Sequence, residues 1–138
     1  MKTWLIMAIA LFQNAAVFGQ TNSTDYKSRV KAFVSNYHTF KMDIQAAGIA
    51  IIPFASFSEE KELYIEYFYQ SGNEKRNGKM TLTSNDKNRF EGHWKTISDN
   101  GNVYQGALYF VFKKNGEANG QYIFMGSNYK ITIFTPSK

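Results

Sequence analysis

Few side chains in this sequence have the chemistry that nucleophilic, metal-dependent or acid–base catalysis needs. Cysteine is absent, and the histidines are His38 and His93 alone. They form no His-x-x-x-His spacing, and no Gly-x-Ser-x-Gly motif marks a nucleophilic serine. Without thiolates, a zinc site would need both histidines together with carboxylates. The sequence therefore predicts no metal, no cofactor and no enzymatic activity.

Carboxylates leave one route to catalysis open. Three glutamates cluster within residues 59–62, at the entrance of a predicted strand. Two carboxylates can hydrolyse a glycosidic bond, but the fold sets the distance between them and sequence spacing does not. A hydrolase of unknown substrate is therefore a third functional hypothesis, with Glu66, Glu91 and His93 as the residues to replace if an activity is found.

Aromatic residues are the most distinctive class, because 12 Phe, 9 Tyr and 2 Trp make up 17% of the chain. A curved sheet with one aromatic face inside would enclose a concavity with tyrosine hydroxyls as polar groups. We predict a binding site for a small apolar or amphipathic ligand on that face, lined by Phe90, Trp94, Tyr104, Phe110, Tyr122 and Phe124. The alternative is that these side chains fill the core, as they do in small barrels.

The strands that must position these side chains have a period of two. Alternation begins after Ser58, and its longest run covers residues 104–112. Turn signals such as Asn77-Gly78 and Asn115-Gly116 separate the runs, and no intervening segment could hold a crossover helix. We therefore expect a coiled antiparallel β-meander of six or seven strands over about residues 60–135, closed as a barrel or open as a half-barrel.

Four glycines recur at intervals of 14 residues, at Gly78, Gly92, Gly106 and Gly120. A glycine within a strand weakens it but permits the bend that coils a sheet. This repeat therefore predicts curvature and carries no chemistry of its own.

A helical pattern precedes the strands. Tyr26, Val30, Phe33, Val34 and Tyr37 fall at i, i+4, i+7, i+8 and i+11. That spacing predicts an N-terminal amphipathic helix over about residues 25–40. Together with the meander it gives an α+β fold class, with the helix packed on one face or one end of the sheet.

The apolar run 46–57 contains Gly48 and Pro53. Proline disfavours a helix interior or a central strand, so we expect a buried approach segment, with an edge strand on either side of Pro53. Exposure of the run as a hydrophobic lip is the alternative. It supports the second functional hypothesis: a protein-interaction or inhibitor module that meets an envelope or extracellular protein through segment 49–57 or an exposed sheet edge.

Residues 1–19 have the pattern of a secretory signal peptide. Lys2 is followed by an apolar run over residues 4–12, and Val17 and Gly19 suit the −3 and −1 positions of a cleavage site before Gln20. The run is too short to span a membrane. We therefore predict a single secreted or periplasmic, cysteine-free domain over residues 20–138. Its basic side chains are dispersed, so we expect no nucleic-acid partner.

The segment Phe90-Glu91-Gly92-His93-Trp94 contains a Gly-x-Trp motif. It resembles the motif of the calycins, the lipocalin and avidin-like barrels that bind small hydrophobic ligands. The resemblance implies an antiparallel barrel with a ligand site inside it, and it assigns no binding residue. Calycins carry this motif on their first strand, whereas here a helix and at least two strand candidates precede it.

Overall fold

A computed structural model describes residues 23–85 and 89–137 of the chain. The predicted signal peptide lies outside the described residues. Within them the chain is mostly β. The elements are helix α1 (Ser23–Val34), a 3-10 turn (Tyr37–Thr39) and eight strands: β1 (Lys41–Ile44), β2 (Gly48–Ser58), β3 (Glu62–Ser71), β4 (Glu74–Ser84), β5 (Phe90–Ser98), β6 (Val103–Phe112), β7 (Ala118–Phe124) and β8 (Ser127–Phe134).

The strands form one closed antiparallel barrel. Each strand pairs with the next along the chain, and β1 pairs with β8 to close the circle. Short turns make this order possible, and four of them carry a glycine at positive φ: Gly72, Gly101, Gly116 and Gly126. Antiparallel pairing was expected, but the prediction of six or seven strands is wrong, because the barrel has eight.

Strand β2 occupies the region expected to be a buried approach segment, and β1 lies between that region and the end of the predicted helix. The proline of this region is accommodated within β2, whose register with β3 shifts between Ile51 and Phe54. Pro53 lies in that irregularity, where the sheet ladder does not require its missing N–H. Every strand has a neighbour on each side, so the expected exposed sheet edge is not found among the described strands.

Helix α1 is shorter than the predicted helix. It ends at Val34, and the chain then makes a 3-10 turn in which the amide of Phe40 donates to the carbonyl of Tyr37. The prediction of an amphipathic helix over about residues 25–40 is therefore wrong. The apolar spacing continued to Tyr37 because side chains of both elements pack against the hydrophobic core.

One end of the barrel is filled by side chains from α1. Tyr26 stacks on Phe90 with ring centroids 5.4 Å apart, and Phe33 lies 5.7 Å from Phe112. These four side chains are buried. Phe90 begins β5 and Phe112 ends β6, so α1 closes the barrel end that holds the start of β5 and the finish of β6.

Three glycines of the 14-residue repeat, Gly92, Gly106 and Gly120, lie where a neighbouring backbone approaches closely, whereas Gly78 lies beneath the Tyr67 ring. A Cβ on Gly92 would lie 1.8 Å from the carbonyl oxygen of Thr81, and one on Gly120 would lie 1.9 Å from that of Tyr109. Neighbouring backbone therefore occupies the space that a side chain would need. This close approach is how the sheet obtains its tight coil.

No helix within residues 23–85 and 89–137 is long and apolar enough to cross a membrane.

Candidate ligand-binding cavity

The barrel contains a cavity of about 210 Å³ at the end opposite α1. The β1–β2 turn contributes Ala46 and Ala47 to its mouth, and strands β3 to β8 contribute most of its wall. Rings dominate the wall. The aromatic residues that line it are Tyr67, Tyr69, Trp94, Tyr104, Tyr122, Phe124 and Tyr129.

The six predicted ligand-binding residues divide between the two ends of the barrel. Four of them, Trp94, Tyr104, Tyr122 and Phe124, line the cavity. Phe90 and Phe110 are fully buried in the end beneath α1. The period-two pattern placed all six on the inner face, but only one half of that face borders a cavity.

Trp94 forms the inner part of the cavity wall and is 8% exposed. Its ring meets Tyr122 edge-on at 5.6 Å and Phe124 at 5.8 Å. Across the sheet it pairs with Gly106, where a Cβ would lie 2.9 Å from the indole Nε1. This N–H has no hydrogen-bond partner among the described residues. A buried donor without a partner is rare in folded proteins.

Tyr67 covers the wall beside Trp94 without filling the lumen. A Cβ on Gly78, its partner across the sheet, would lie 2.1 Å from the Tyr67 Cζ, so the ring lies flat over bare backbone. The Tyr67 hydroxyl is 2.6 Å from the Thr96 Oγ1, and the ring is parallel to that of Tyr69. Burial raises the pKa of Tyr67 well above its ordinary value, so the hydroxyl stays protonated near neutral pH.

Tyr122 connects the cavity wall to the turn at its mouth. Its hydroxyl donates to the carbonyl oxygen of Gln45, whose side-chain Oε1 accepts a 2.7 Å hydrogen bond from the Lys130 amide. The β1–β2 turn is thereby tied to β8, next to Ala46 with its positive φ of 72°. Burial raises the pKa of Tyr122 to about 12.

Arg76 is the only charged side chain among the described residues that line the cavity. Its guanidinium lies 4.8 Å from the Tyr104 ring centroid, and its Nε donates to the Glu74 Oε1 at 3.0 Å. Hydrogen bonding to Tyr69 and then to Glu74 raises the pKa of Arg76. Its side chain is 25% exposed. The cavity therefore has an apolar, aromatic wall with one cation at its edge.

The chain matches no known protein family, curated protein or solved structure. The closed eight-stranded antiparallel barrel is compatible with a calycin-like barrel, the architecture suggested by Gly92-His93-Trp94.

The residues considered for a hydrolase lie outside the cavity. Glu66 accepts a 2.8 Å hydrogen bond from the Tyr64 hydroxyl, Glu91 accepts one of 2.6 Å from the Asn85 amide, and His93 is exposed. None of the three lines the cavity. Across the described ranges, no group of three or more His, Asp or Glu side chains could hold a metal ion.

The glutamates of residues 59–62 supply a surface contact instead. Glu60 pairs with Lys31 and lies 3.8 Å from the Lys27 Nζ, which links α1 to the β2–β3 turn. The hydrogen bond from Lys31 lowers the pKa of Glu60. Because all three side chains are well exposed, this pairing contributes little to stability.

Sequence reasoning missed several side chains of the cavity, above all Tyr67, Tyr69, Arg76 and Thr96. The two tyrosines share the alternation of the strand that was predicted around them, and Gly78 is the glycine of the repeat that lies opposite Tyr67. Alternation along β4 also puts Arg76 in phase with Met80. Alternation alone does not predict that Arg76 faces the cavity, because a charged residue is ordinarily expected to face solvent.

Segment 49–57 presents two different faces. Ala50, Ile52 and Ala55 are buried inside the barrel. On the outer face, Ile49 is 49% exposed and Phe54 is 41% exposed. The segment is therefore a half-buried strand, which combines the expected burial with part of the expected hydrophobic lip.

Proposed function

We propose that the protein is an exported, non-enzymatic binding protein that holds a small apolar or amphipathic ligand in the open end of its barrel. One observation carries this proposal: the two ends of the same barrel differ. Phe33, Phe90, Phe110 and Phe112 pack the end beneath α1 and are almost wholly inaccessible. The opposite end has equally bulky side chains, yet they surround a cavity of about 210 Å³.

The size of the cavity limits the ligand to about one ring. An apolar cavity of about 150 Å³ can hold benzene, whereas sites for drug-sized ligands have about 300–1,000 Å³. The cavity of about 210 Å³ would leave about 60 Å³ for a substituent beyond a benzene-sized ring. A longer molecule would have to extend through the mouth.

The lining supports binding more than acid–base catalysis. Among the described residues that form it, no carboxylate and no histidine occurs. The two tyrosines with raised pKa values, Tyr67 and Tyr122, keep their protons near neutral pH. Such a wall offers ring faces and protonated hydroxyls to a ligand, and it lacks a group that exchanges protons easily at neutral pH.

A nuclear magnetic resonance titration tests the proposal directly. The indole N–H signal of Trp94, assigned by its loss in Trp94→Phe, is followed in the full chain while benzyl alcohol or benzamide is added. Binding in the cavity is expected to shift this signal in a saturable way. The absence of a saturable shift with small aromatic ligands of any charge would contradict the proposal.

Two alanines provide matched variants for this experiment. Ala47 lies at the mouth of the cavity, whereas Ala107 faces a groove on the outer wall. Ala47→Phe should weaken binding at least about tenfold, because the added ring takes space that the ligand needs. Ala107→Phe should change binding by less than about twofold. Equal weakening by both variants would show that the ligand does not enter through this mouth.

A protein-interaction or inhibitor module is the second candidate function, and the outer face of β2 favours it. Ile49, Ile51 and Phe54 are each more than 40% exposed there. Replacing them with threonine should abolish co-purification of an envelope or extracellular partner while the Trp94 signal still responds to benzamide. We do not propose a hydrolase, because Glu66, Glu91 and His93 lie outside the cavity.

A further inference from the structure

The charge of the cavity lining is one-sided. Arg76 contributes the only full charge, and no carboxylate among the described residues lines the cavity to neutralise it from within. Glu74 does pair with Arg76, but Glu74 is not part of the lining. A ligand in the cavity would therefore meet the Arg76 cation, whose charge is balanced only by Glu74 outside the lining.

Arg76 retains donors for a ligand. A guanidinium has five N–H groups in a planar fork that matches a carboxylate. Its Nε donates to Glu74, and Tyr69 is the neighbour that most raises its pKa. These two neighbours occupy only part of the fork. The remaining N–H groups can form the charge-assisted hydrogen bonds that an organic anion accepts.

The cation and the indole belong to one continuous wall. Arg76 lies over Tyr104, the Tyr104 ring is 6.0 Å from that of Phe124, and Phe124 is 5.8 Å from Trp94. A ring placed against Trp94 can therefore direct a substituent along this wall toward Arg76. The volume that remains beyond a benzene-sized ring suits a substituent as small as a carboxylate.

A cationic ligand is the principal alternative, because aromatic cages also bind ammonium groups. Here the guanidinium of Arg76 already occupies the face of Tyr104. A second cation in the same lining would be repelled by Arg76 and would find no carboxylate among the described lining residues. The charge distribution therefore favours an anion.

We propose that the ligand is a small monocyclic organic acid whose ring lies against Trp94 and Tyr122 and whose carboxylate is bound by Arg76 at the edge of the cavity. This inference rests on the proposed function, and it adds the chemical class of the ligand and the residue that selects it.

Benzoate, benzamide and benzamidinium form a series of nearly equal shape and different charge. We expect the full chain at neutral pH and low salt to bind benzoate about tenfold more tightly than benzamide, measured by the Trp94 indole shift. Tenfold is a moderate effect for a charge-assisted hydrogen bond, because Arg76 is partly exposed and water weakens the interaction. Benzamidinium should bind most weakly, and added salt should reduce the preference for benzoate.

Substitutions at two residues test the role of the guanidinium. Arg76→Met should bring the ratio of benzoate to benzamide affinity close to one. Arg76→Lys should leave a smaller preference, because an ammonium keeps the charge but lacks the fork. Glu74→Gln should increase the preference, since it removes the carboxylate that competes for Arg76. The last variant and the ligand series remain informative even if Arg76→Met fails to fold.

The outcomes separate this inference from the proposed function. Binding of benzamide as tight as that of benzoate, tightest binding of benzamidinium, or an unchanged preference in Arg76→Met overturns the acid inference alone. Failure of all three ligands to shift the Trp94 signal overturns both proposals. A preference for benzoate that disappears in Arg76→Met and grows in Glu74→Gln supports both.

Discussion

Replacing Gly92 with alanine tests how this barrel obtains its curvature. Gly92 lies on β5 between Leu82 on β4 and Leu108 on β6. An added Cβ would lie 1.8 Å from the Thr81 carbonyl oxygen and 2.8 Å from the Leu82 Cα. Both are backbone atoms, so rotation of a side chain cannot relieve the overlap. The strands would have to move apart.

The size of the effect follows from two opposing contributions. Overpacking a well-packed site costs about 1–3 kcal/mol, and the upper end applies because only backbone can yield. Alanine also restricts the unfolded chain, which stabilises the fold by about 0.4–1 kcal/mol. Together these predict that Gly92→Ala lowers the free energy of unfolding by about 2 kcal/mol.

Gly101→Ala is the matched control. Gly101 lies in the β5–β6 turn with φ of +89°, and a Cβ there would meet nothing within 4 Å. The alanine is destabilising there only because it must adopt a left-handed backbone conformation, which costs about 1–2 kcal/mol. Restriction of the unfolded chain offsets part of this cost, as it does for Gly92→Ala. We therefore expect a loss of about 0.5–1 kcal/mol, clearly smaller than that of Gly92→Ala.

Urea unfolding of the full chain, followed by far-ultraviolet circular dichroism, gives both free energies of unfolding. With an m-value of about 2 kcal/mol/M, Gly92→Ala should lower the midpoint by about 1 M. The m-value should not change, since the argument concerns the folded state. A loss for Gly92→Ala equal to or smaller than that for Gly101→Ala would refute the assignment of curvature to close backbone approach.

Two further predictions concern the closed end of the barrel and alkaline pH. Phe33→Ala should lower the free energy of unfolding by about 3–5 kcal/mol, because it removes a fully buried ring that meets Phe40 and Phe112. Urea unfolding measures this, and a loss below about 1 kcal/mol would contradict the described packing. Burial raises the pKa of Tyr122 from 10.0 to about 12. Between those pH values the folded state holds the Tyr122 proton more tightly than the unfolded chain does. The contribution of the protonated Tyr122 to the free energy of unfolding is therefore complete below pH 10 and is lost as the pH rises toward 12. Unfolding free energies from pH 8 to about 12 should therefore fall more steeply in the wild type than in Tyr122→Phe, and parallel curves would contradict it.

The strands from β3 onward could be predicted because their signals are local. Alternating side chains and glycine- or asparagine-containing turns lie next to each other along the chain. Strand β1 has only Lys41–Ile44, too short for a period to emerge, and its second partner is β8 near the other end of the sequence. Closure of the barrel depends on that distant pairing. No local pattern distinguishes it from an open half-barrel.

The cavity could be predicted only in part, for a related reason. Alternation correctly places Phe110 and Tyr122 on the inner face. It does not say which of them has a helix above it. Phe110 accepts a backbone hydrogen bond from the Tyr26 hydroxyl of α1 at 3.3 Å, whereas the Tyr122 hydroxyl reaches a turn at the other end. Whether an inner side chain meets another side chain or a cavity is decided by these distant contacts.

The pairing of glycines with rings explains how an eight-stranded barrel retains a cavity at all. A barrel of this size is only wide enough for its own side chains to fill it. Opposite Gly78 the Tyr67 ring lies along the wall, and the Trp94 indole lies against Gly106 in the same way. Rings placed along the wall do not project across the lumen, so the space remains open and the exposed surfaces are ring faces. A ligand would therefore meet flat aromatic surfaces, which favours a planar ring over a branched aliphatic group of equal volume.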